Sequence, residues 1–198
     1  EPSDLAWSPD GRRIAFTMFV PAETKPYVAL TGKPEGAEWA APPKVIQRTL
    51  YRADGRGYLK DGFQQVFVLP AEGGTPTQVT SGEFHHEGPL AWSLDGKSLY
   101  LHANRDPRWE EQPLDDEVYE LTLADRRLKA LTDRKGPDRS PVVSPDGAKI
   151  AWLGFDDERL SYHVNRLHVM NRDGSNRRVL TAKLDRDAAL PQWTADSD

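Results

Sequence analysis

A chain of 198 residues, 37% of them hydrophobic, has enough apolar material for a core, yet no run approaches the ~18 consecutive apolar residues of a membrane helix. A net charge of −5 argues against a nucleic-acid partner, because phosphate binding needs a basic face; Arg12-Arg13, Arg126-Arg127 and Arg177-Arg178 read as solvated surface. With no cysteine, disulfide frameworks, thiolate metal sites and cysteine nucleophiles are all excluded.

The chain opens on a short apolar run leading into Trp7-Ser8-Pro9-Asp10-Gly11. Proline at the second turn position presets φ, aspartate suits the third, and glycine takes the positive-φ position. Asp10 and Gly11 are therefore turn residues between two antiparallel strands, the second being Ile14-Ala15-Phe16. The N-terminus lacks the charged and apolar regions of a signal peptide, which favours the cytoplasm and leaves the compartment open.

Next comes a proline- and glycine-rich stretch, residues 21–63, with scattered aromatics. Its length exceeds the ~15 residues usual for loops in compact domains. It reads as an insertion carrying an extra hairpin, Lys44 to Tyr51 with Gly57 to Lys60. It is either a simple lid over a neighbouring surface or a substrate-facing element.

The turn then returns three times, as Trp92-Ser93-Leu94-Asp95-Gly96, Val143-Ser144-Pro145-Asp146-Gly147 and, in worn form, Trp193-Thr194-Ala195-Asp196-Ser197. Asp95, Gly96, Asp146 and Gly147 repeat the roles of Asp10 and Gly11. Trp7, Trp92 and Trp193 recur at one place in each unit, where unit-on-unit packing accounts for them. The last two intervals are about 50 residues and the first about 85, the excess being the insertion.

A second ladder runs in step with the first. Val66-Phe67-Val68-Leu69 turns and ends at Val79-Thr80, Val118-Tyr119-Glu120-Leu121 at Leu131-Thr132, and Leu167-His168-Val169-Met170 at Leu180-Thr181. Two hairpins per period make four strands, which is a propeller blade. The expected fold is all-β: a partial β-propeller of about three complete four-stranded blades plus the first strand of another. Blade A spans 1–83, blade B 84–134, blade C 135–184, and blade D starts over 185–198. Such a chain leaves unpaired edges and bare blade faces, so it is expected to be part of a longer polypeptide and to self-associate.

Polar clusters lead into the first strand of successive blades: His85-His86-Glu87, Pro137-Asp138-Arg139 and Asp185-Arg186-Asp187. Adjacent histidines in an extended loop diverge, so no metal site is expected, nor any cofactor. His86, Asp138 and Asp187 are read either as solvated rim residues or as an electrostatic filter lining the channel. Trp39 and Trp109 lie outside the repeat and are the tryptophans open to a functional role. Ser98 fails the G-x-S-x-G pattern of a nucleophile elbow, so the chain holds no catalytic residue of that kind.

His168-Val169-Met170-Asn171-Arg172-Asp173-Gly174-Ser175-Asn176 resembles a TolB repeat. The segments Ala41-Pro42-Pro43-Lys44-Val45-Ile46, Tyr51-Arg52-Ala53-Asp54-Gly55-Arg56-Gly57-Tyr58, Ser140 to Gly147 and Leu184-Asp185-Arg186-Asp187 resemble the N-terminal propeller of the prolyl oligopeptidase family, in its acylaminoacyl-peptidase-like branch. This resemblance implies a seven- or eight-bladed propeller capping an α/β-hydrolase domain that uses a Ser-Asp-His triad on peptides or acylated substrates. It implies a non-catalytic, substrate-gating role here, with the rest of the propeller and the hydrolase domain as partners. The alternative is a TolB-like interaction propeller without an enzyme. In related dipeptidyl peptidases a glutamate pair on the propeller anchors the substrate amino terminus. Trp109-Glu110-Glu111 offers such a pair, although Gln112-Pro113-Leu114 departs from that motif.

Overall fold

The computed structural model describes residues 1–23, 32–40 and 43–197. Residues 24–31 of the insertion, Ala41 and Pro42 of the family-like segment, and Asp198 lie outside the described residues. The described part is built from strands and turns, in three four-stranded antiparallel sheets and one small hairpin.

The first sheet comprises β1 (Ser3–Trp7), β2 (Arg13–Pro21), β5 (Gly62–Pro70) and β6 (Thr77–Gln78), with β3 (Arg52–Ala53) and β4 (Gly57–Tyr58) forming the hairpin inside the insertion. The second comprises β7 (Glu87–Trp92), β8 (Ser98–Ala103), β9 (Glu117–Thr122) and β10 (Arg127–Ala130). The third comprises β11 (Asp138–Val143), β12 (Lys149–Gly154), β13 (Arg166–Asn171) and β14 (Arg178–Val179). Within each sheet the strands lie side by side in chain order, and the leading strands β1, β7 and β11 pack against their neighbours in turn. That is how propeller blades stand around an axis.

The repeated turn is held by its serine as much as by its proline and glycine. Ser8 Oγ donates to Asp10 Oδ1 at 2.6 Å and accepts Arg13 N at 2.9 Å, while Asp10 Oδ1 accepts Arg12 N at 3.1 Å. Ser93 with Asp95 and Ser144 with Asp146 repeat this network. The serine hydroxyl is the main reason the carboxyls of Asp10, Asp95 and Asp146 are held below their ordinary pKa. Gly11, Gly96 and Gly147 have φ of 69°, 66° and 70°, and in the worn copy Ser197 occupies the same conformation at 66°.

The threonine ladder has an equally specific cause. Thr80, Thr132 and Thr181 each accept, at 2.8 Å on Oγ1, the backbone N–H of Val66, Val118 and Leu167 in the third strand of their blade. A side chain thus finishes the ladder where the outer strand leaves it.

Cores form between blades rather than within them. In β8, Leu99, Leu101 and Ala103 face blade A and pack with Ala15, Val66 and Val68, whereas Tyr100 faces blade C and packs with Ile150, Trp152 and Met170. The period-2 alternation of side chains buries both faces of this strand. Trp92 Nε1 donates to Ala6 O and Trp193 Nε1 to Val142 O, both at 3.0 Å, so each tryptophan reaches back to the leading strand of the preceding blade. Arg13 lies over the Trp92 ring at 4.9 Å and donates to Gly96 O at 2.6 Å. Trp7, the same residue in blade A, is 61% exposed.

Two expectations change. The extra hairpin is the short pair β3 and β4, extended by a Leu59 N to Tyr51 O hydrogen bond at 2.8 Å; residues 44–50 are not a strand. Residues 185–197 carry the Trp193 contact and the turn but no strand, because no described segment lies alongside to complete a ladder.

Candidate functional site at the loop end of the blades

The connections from second to third strand and the entries to the leading strands converge on one end of the blades, opposite the repeated turns. The sequence-selected residues His86, Trp109, Glu110, Glu111, Asp138 and Asp187 all fall at this end.

Their settings differ. His86 and Asp138 are wholly buried, which corrects the reading of both as solvated rim or channel-lining residues. Asp138 Oδ1 accepts Trp152 Nε1 at 2.8 Å and Arg134 Nε and Nη2 at 2.9 and 2.5 Å; Arg134 also donates to Asp156. Room for this cluster comes from Gly154, where a Cβ would stand 2.4 Å from Arg134 Nη2 and 2.5 Å from Asp138 Oδ1. Asp138 is thus a structural anchor that ties the entry of β11 to β12. Nearby, Arg139 grips Asp116 Oδ2 through Nε at 2.7 Å and through Nη2.

Arg105 Nη1 donates to His86 Nε2 at 2.6 Å, so this nitrogen carries no proton and the ring is neutral. Burial, with Arg105 second, pushes His86 down to about 4. Burial likewise pushes His102 to about 4, its Nε2 standing 3.7 Å from Glu87 Oε2. Sequence reading passed over Glu117, yet burial pushes its carboxyl up to about 8, and its Oε2 has no hydrogen-bond partner. Gln65 occupies the equivalent place in blade A, where its Oε1 accepts Thr80 Oγ1 at 2.7 Å. A strand position that is Gln in one blade and Glu in the next was the signal available in the sequence.

Trp109 and Glu110 lie on a turn at residues 107–111, Glu110 reaching the insertion and Trp109 the start of β5 and the entry to β7. Glu110 Oε2 accepts Thr49 N at 3.0 Å, and the Trp109 ring meets Phe63 and His85 edge-on at 6.3 and 5.8 Å. Glu111 instead borders a cleft of about 940 Å³ between the loops of blades B and C. Asp106, Glu111, Asp115, Asp157 and Glu158 there outnumber Arg108, Lys135 and Arg159, so the cleft is acidic. Asp187 is exposed and accepts Asn165 N at 2.7 Å and Tyr162 OH at 3.3 Å, bracing the last loop of blade C. Trp39 is exposed. The described residues include no group of three or more side chains able to hold a metal ion.

Residues 56–153, from the insertion hairpin through β12, match the family model of the dipeptidyl peptidase IV N-terminal region. Dipeptidyl-peptidase 5 of Schizosaccharomyces pombe is 30% identical over 76 residues, covering 38% of this chain and 11% of that protein. The chain therefore spans a small part of this relative's length. Among solved structures, acylaminoacyl peptidase of Pyrococcus horikoshii superposes with a TM-score of 0.63 at 13% identity, over 96% of this chain and 27% of that one. TolB of Acinetobacter baumannii gives 0.61 at 21% identity, over 100% of this chain and 36% of that one. Both likenesses are of fold. The chain thus shares the propeller fold of these structures, and residues 56–153 of it match a peptidase N-terminal region.

Proposed function

We propose that the chain is the non-catalytic propeller part of a serine peptidase related to the acylaminoacyl and dipeptidyl peptidases, gating access to a hydrolase domain elsewhere in the parent polypeptide. The match of residues 56–153 to a peptidase N-terminal region carries this reading. The loop end suits the task, since an acidic cleft favours peptides with a cationic end and disfavours anionic ones. Trp7 and Leu5, 61% and 66% exposed on β1, offer a surface for a further blade, in the way that Trp92 meets Ala6.

The reading requires the chain itself to be inert. The purified 198-residue chain is expected to give no turnover of acyl-peptide or dipeptidyl ester substrates. Turnover abolished by a serine-directed phosphonate would overturn it. Chemistry would then reside in these blades.

A further inference from the structure

Of the junctions between successive blades, A with B and C with the start of D share a lock built from the same parts. At the first, Trp92 Nε1 donates to Ala6 O, the Arg13 guanidinium lies over the Trp92 ring at 4.9 Å, and Arg13 Nη2 donates to Gly96 O at 2.6 Å. At the second, Trp193 Nε1 donates to Val142 O, the Lys149 ammonium stands 5.9 Å from the Trp193 ring, and Lys149 Nζ donates to Ser197 O at 3.3 Å. Ala6 and Val142 each immediately precede a copy of the repeated turn, and Gly96 and Ser197 each close one.

Arg13 and Lys149 occupy one place in the repeat, where the turn serine accepts the backbone N–H: Ser8 Oγ takes Arg13 N and Ser144 Oγ takes Lys149 N, each at 2.9 Å. At the junction of B and C this place is Ser98, whose N–H goes to Ser93 Oγ at 2.9 Å, and the facing residue of blade C is Val143 rather than tryptophan. Cation and indole are thus present together at two junctions and absent together at the third, as expected if the cation is there for the ring. Trp7 holds the indole place in blade A. Its ring is exposed, and the described residues place no acceptor at its Nε1, no cation over its face and no donor at Gly11 O.

We propose that Trp7 and Gly11 are the receiving half of another such lock, and that its occupant is a blade of this same repeat from outside residues 1–198. That blade carries Arg or Lys at the place of Arg13 and turns the carbonyl before its own turn toward Trp7 Nε1. A second copy of this chain does not offer the cation, because its Arg13 and Lys149 are engaged in its own locks and its Ser98 is uncharged. Covering Trp7 takes its apolar face out of water and gives the indole N–H its acceptor. The proposal rests on the chain being part of a larger propeller, and not on that propeller serving a peptidase.

Hydroxyl-radical footprinting of the native polypeptide that contains these residues, beside the 198-residue chain, tests the lock. Trp7 is 61% exposed against 7% for Trp92, so it is expected to oxidise about tenfold more slowly in the native polypeptide than in the 198-residue chain, while Trp92 changes little. With p-benzoylphenylalanine in place of Trp7, photo-crosslinking in the native polypeptide should capture a peptide whose repeat turn is followed by Arg or Lys, spaced as Arg13 is from Trp7. In the 198-residue chain Arg13→Ser should speed oxidation of Trp92 about threefold, and Arg13→Lys less than about twofold. Serine labelling of the same native polypeptide reports on the peptidase reading separately, so either can fail alone. Equal oxidation of Trp7 in the two samples, capture of a peptide that is uncharged at that place or lies outside any blade, or Trp92 indifferent to Arg13→Ser would overturn the proposal.

Discussion

Replacing Glu117 by glutamine is expected to stabilise the chain at pH 9 by about 3 kcal/mol, with little change near pH 4. Burial is the main reason its carboxyl titrates at about 8, and the Thr132 hydroxyl, which donates to it, offsets only part of that. Asp138 and Asp133 add to the rise. A folded pKa above the ordinary 4.5 means the folded state binds the proton more tightly than the unfolded one. Stability from this group is therefore complete below about pH 4.5 and is lost as pH climbs through about 8. Linkage alone sets a ceiling of about 5 kcal/mol, reduced here because the side chain is partly exposed to water. Glutamine cannot ionise, and Gln65 with Thr80 shows that the site accepts an amide.

His86 and His102 act in the opposite direction. Both are held neutral at about 4, below the ordinary 6.5, so their contribution is present above pH 6.5 and drains away as pH falls toward 4. The native chain should be most stable where these slopes cross, in weakly acidic to neutral solution. Glu117→Gln should extend that maximum into a plateau through pH 9. Urea midpoints measured from pH 4 to 9 decide the matter. A variant whose midpoint tracks the native chain at every pH would refute the buried acid.

Asp138→Ala is expected to destabilise the chain by about 3–5 kcal/mol, because one buried oxygen serves three donors. Its removal leaves the Trp152 indole N–H without an acceptor in a dry setting and strands the Arg134 guanidinium beside it. Asp138→Asn keeps an acceptor for Trp152 while losing the ion pair, and should cost roughly half as much. Denaturant unfolding checks both, with the midpoint falling and the slope constant. A loss below about 1 kcal/mol in Asp138→Ala would show that the cluster is not an anchor.

The architecture was legible because it is written in local chemistry that repeats. The Trp-Ser-Pro-Asp-Gly turn needs its glycine at positive φ and its proline at fixed φ, and both residues announce themselves in sequence. The serine of that turn and the terminal threonine were visible as repeats but not as hydrogen-bonding parts. Ser8 caps a backbone N–H five residues on, and Thr132 one fourteen residues back, and only the folded path shows which donor each meets.

The loop end was far less legible, and for a physical reason. A charged residue before a strand looks solvated in sequence, yet Asp138 and His86 are buried, with Asp138 Oδ1 held by Arg134 and Trp152 and His86 Nε2 by Arg105. Burial of that kind depends on distant segments and leaves no periodic trace. Glu117 was hidden likewise, since alternation marks its side of β9 without saying how dry that side is. The hairpin was foreseen but placed across too many residues, because Val45 and Ile46 look like a strand while among the described residues no partner strand pairs with them.

The central claim, that these blades serve a peptidase, is tested most directly on the native polypeptide that contains them. Antibody raised to the 198-residue chain should recover from its source cells a single longer polypeptide that a fluorophosphonate labels on a serine outside residues 1–198. Recovery of an unlabelled polypeptide made of propeller repeats alone would contradict the account and leave an interaction module in its place.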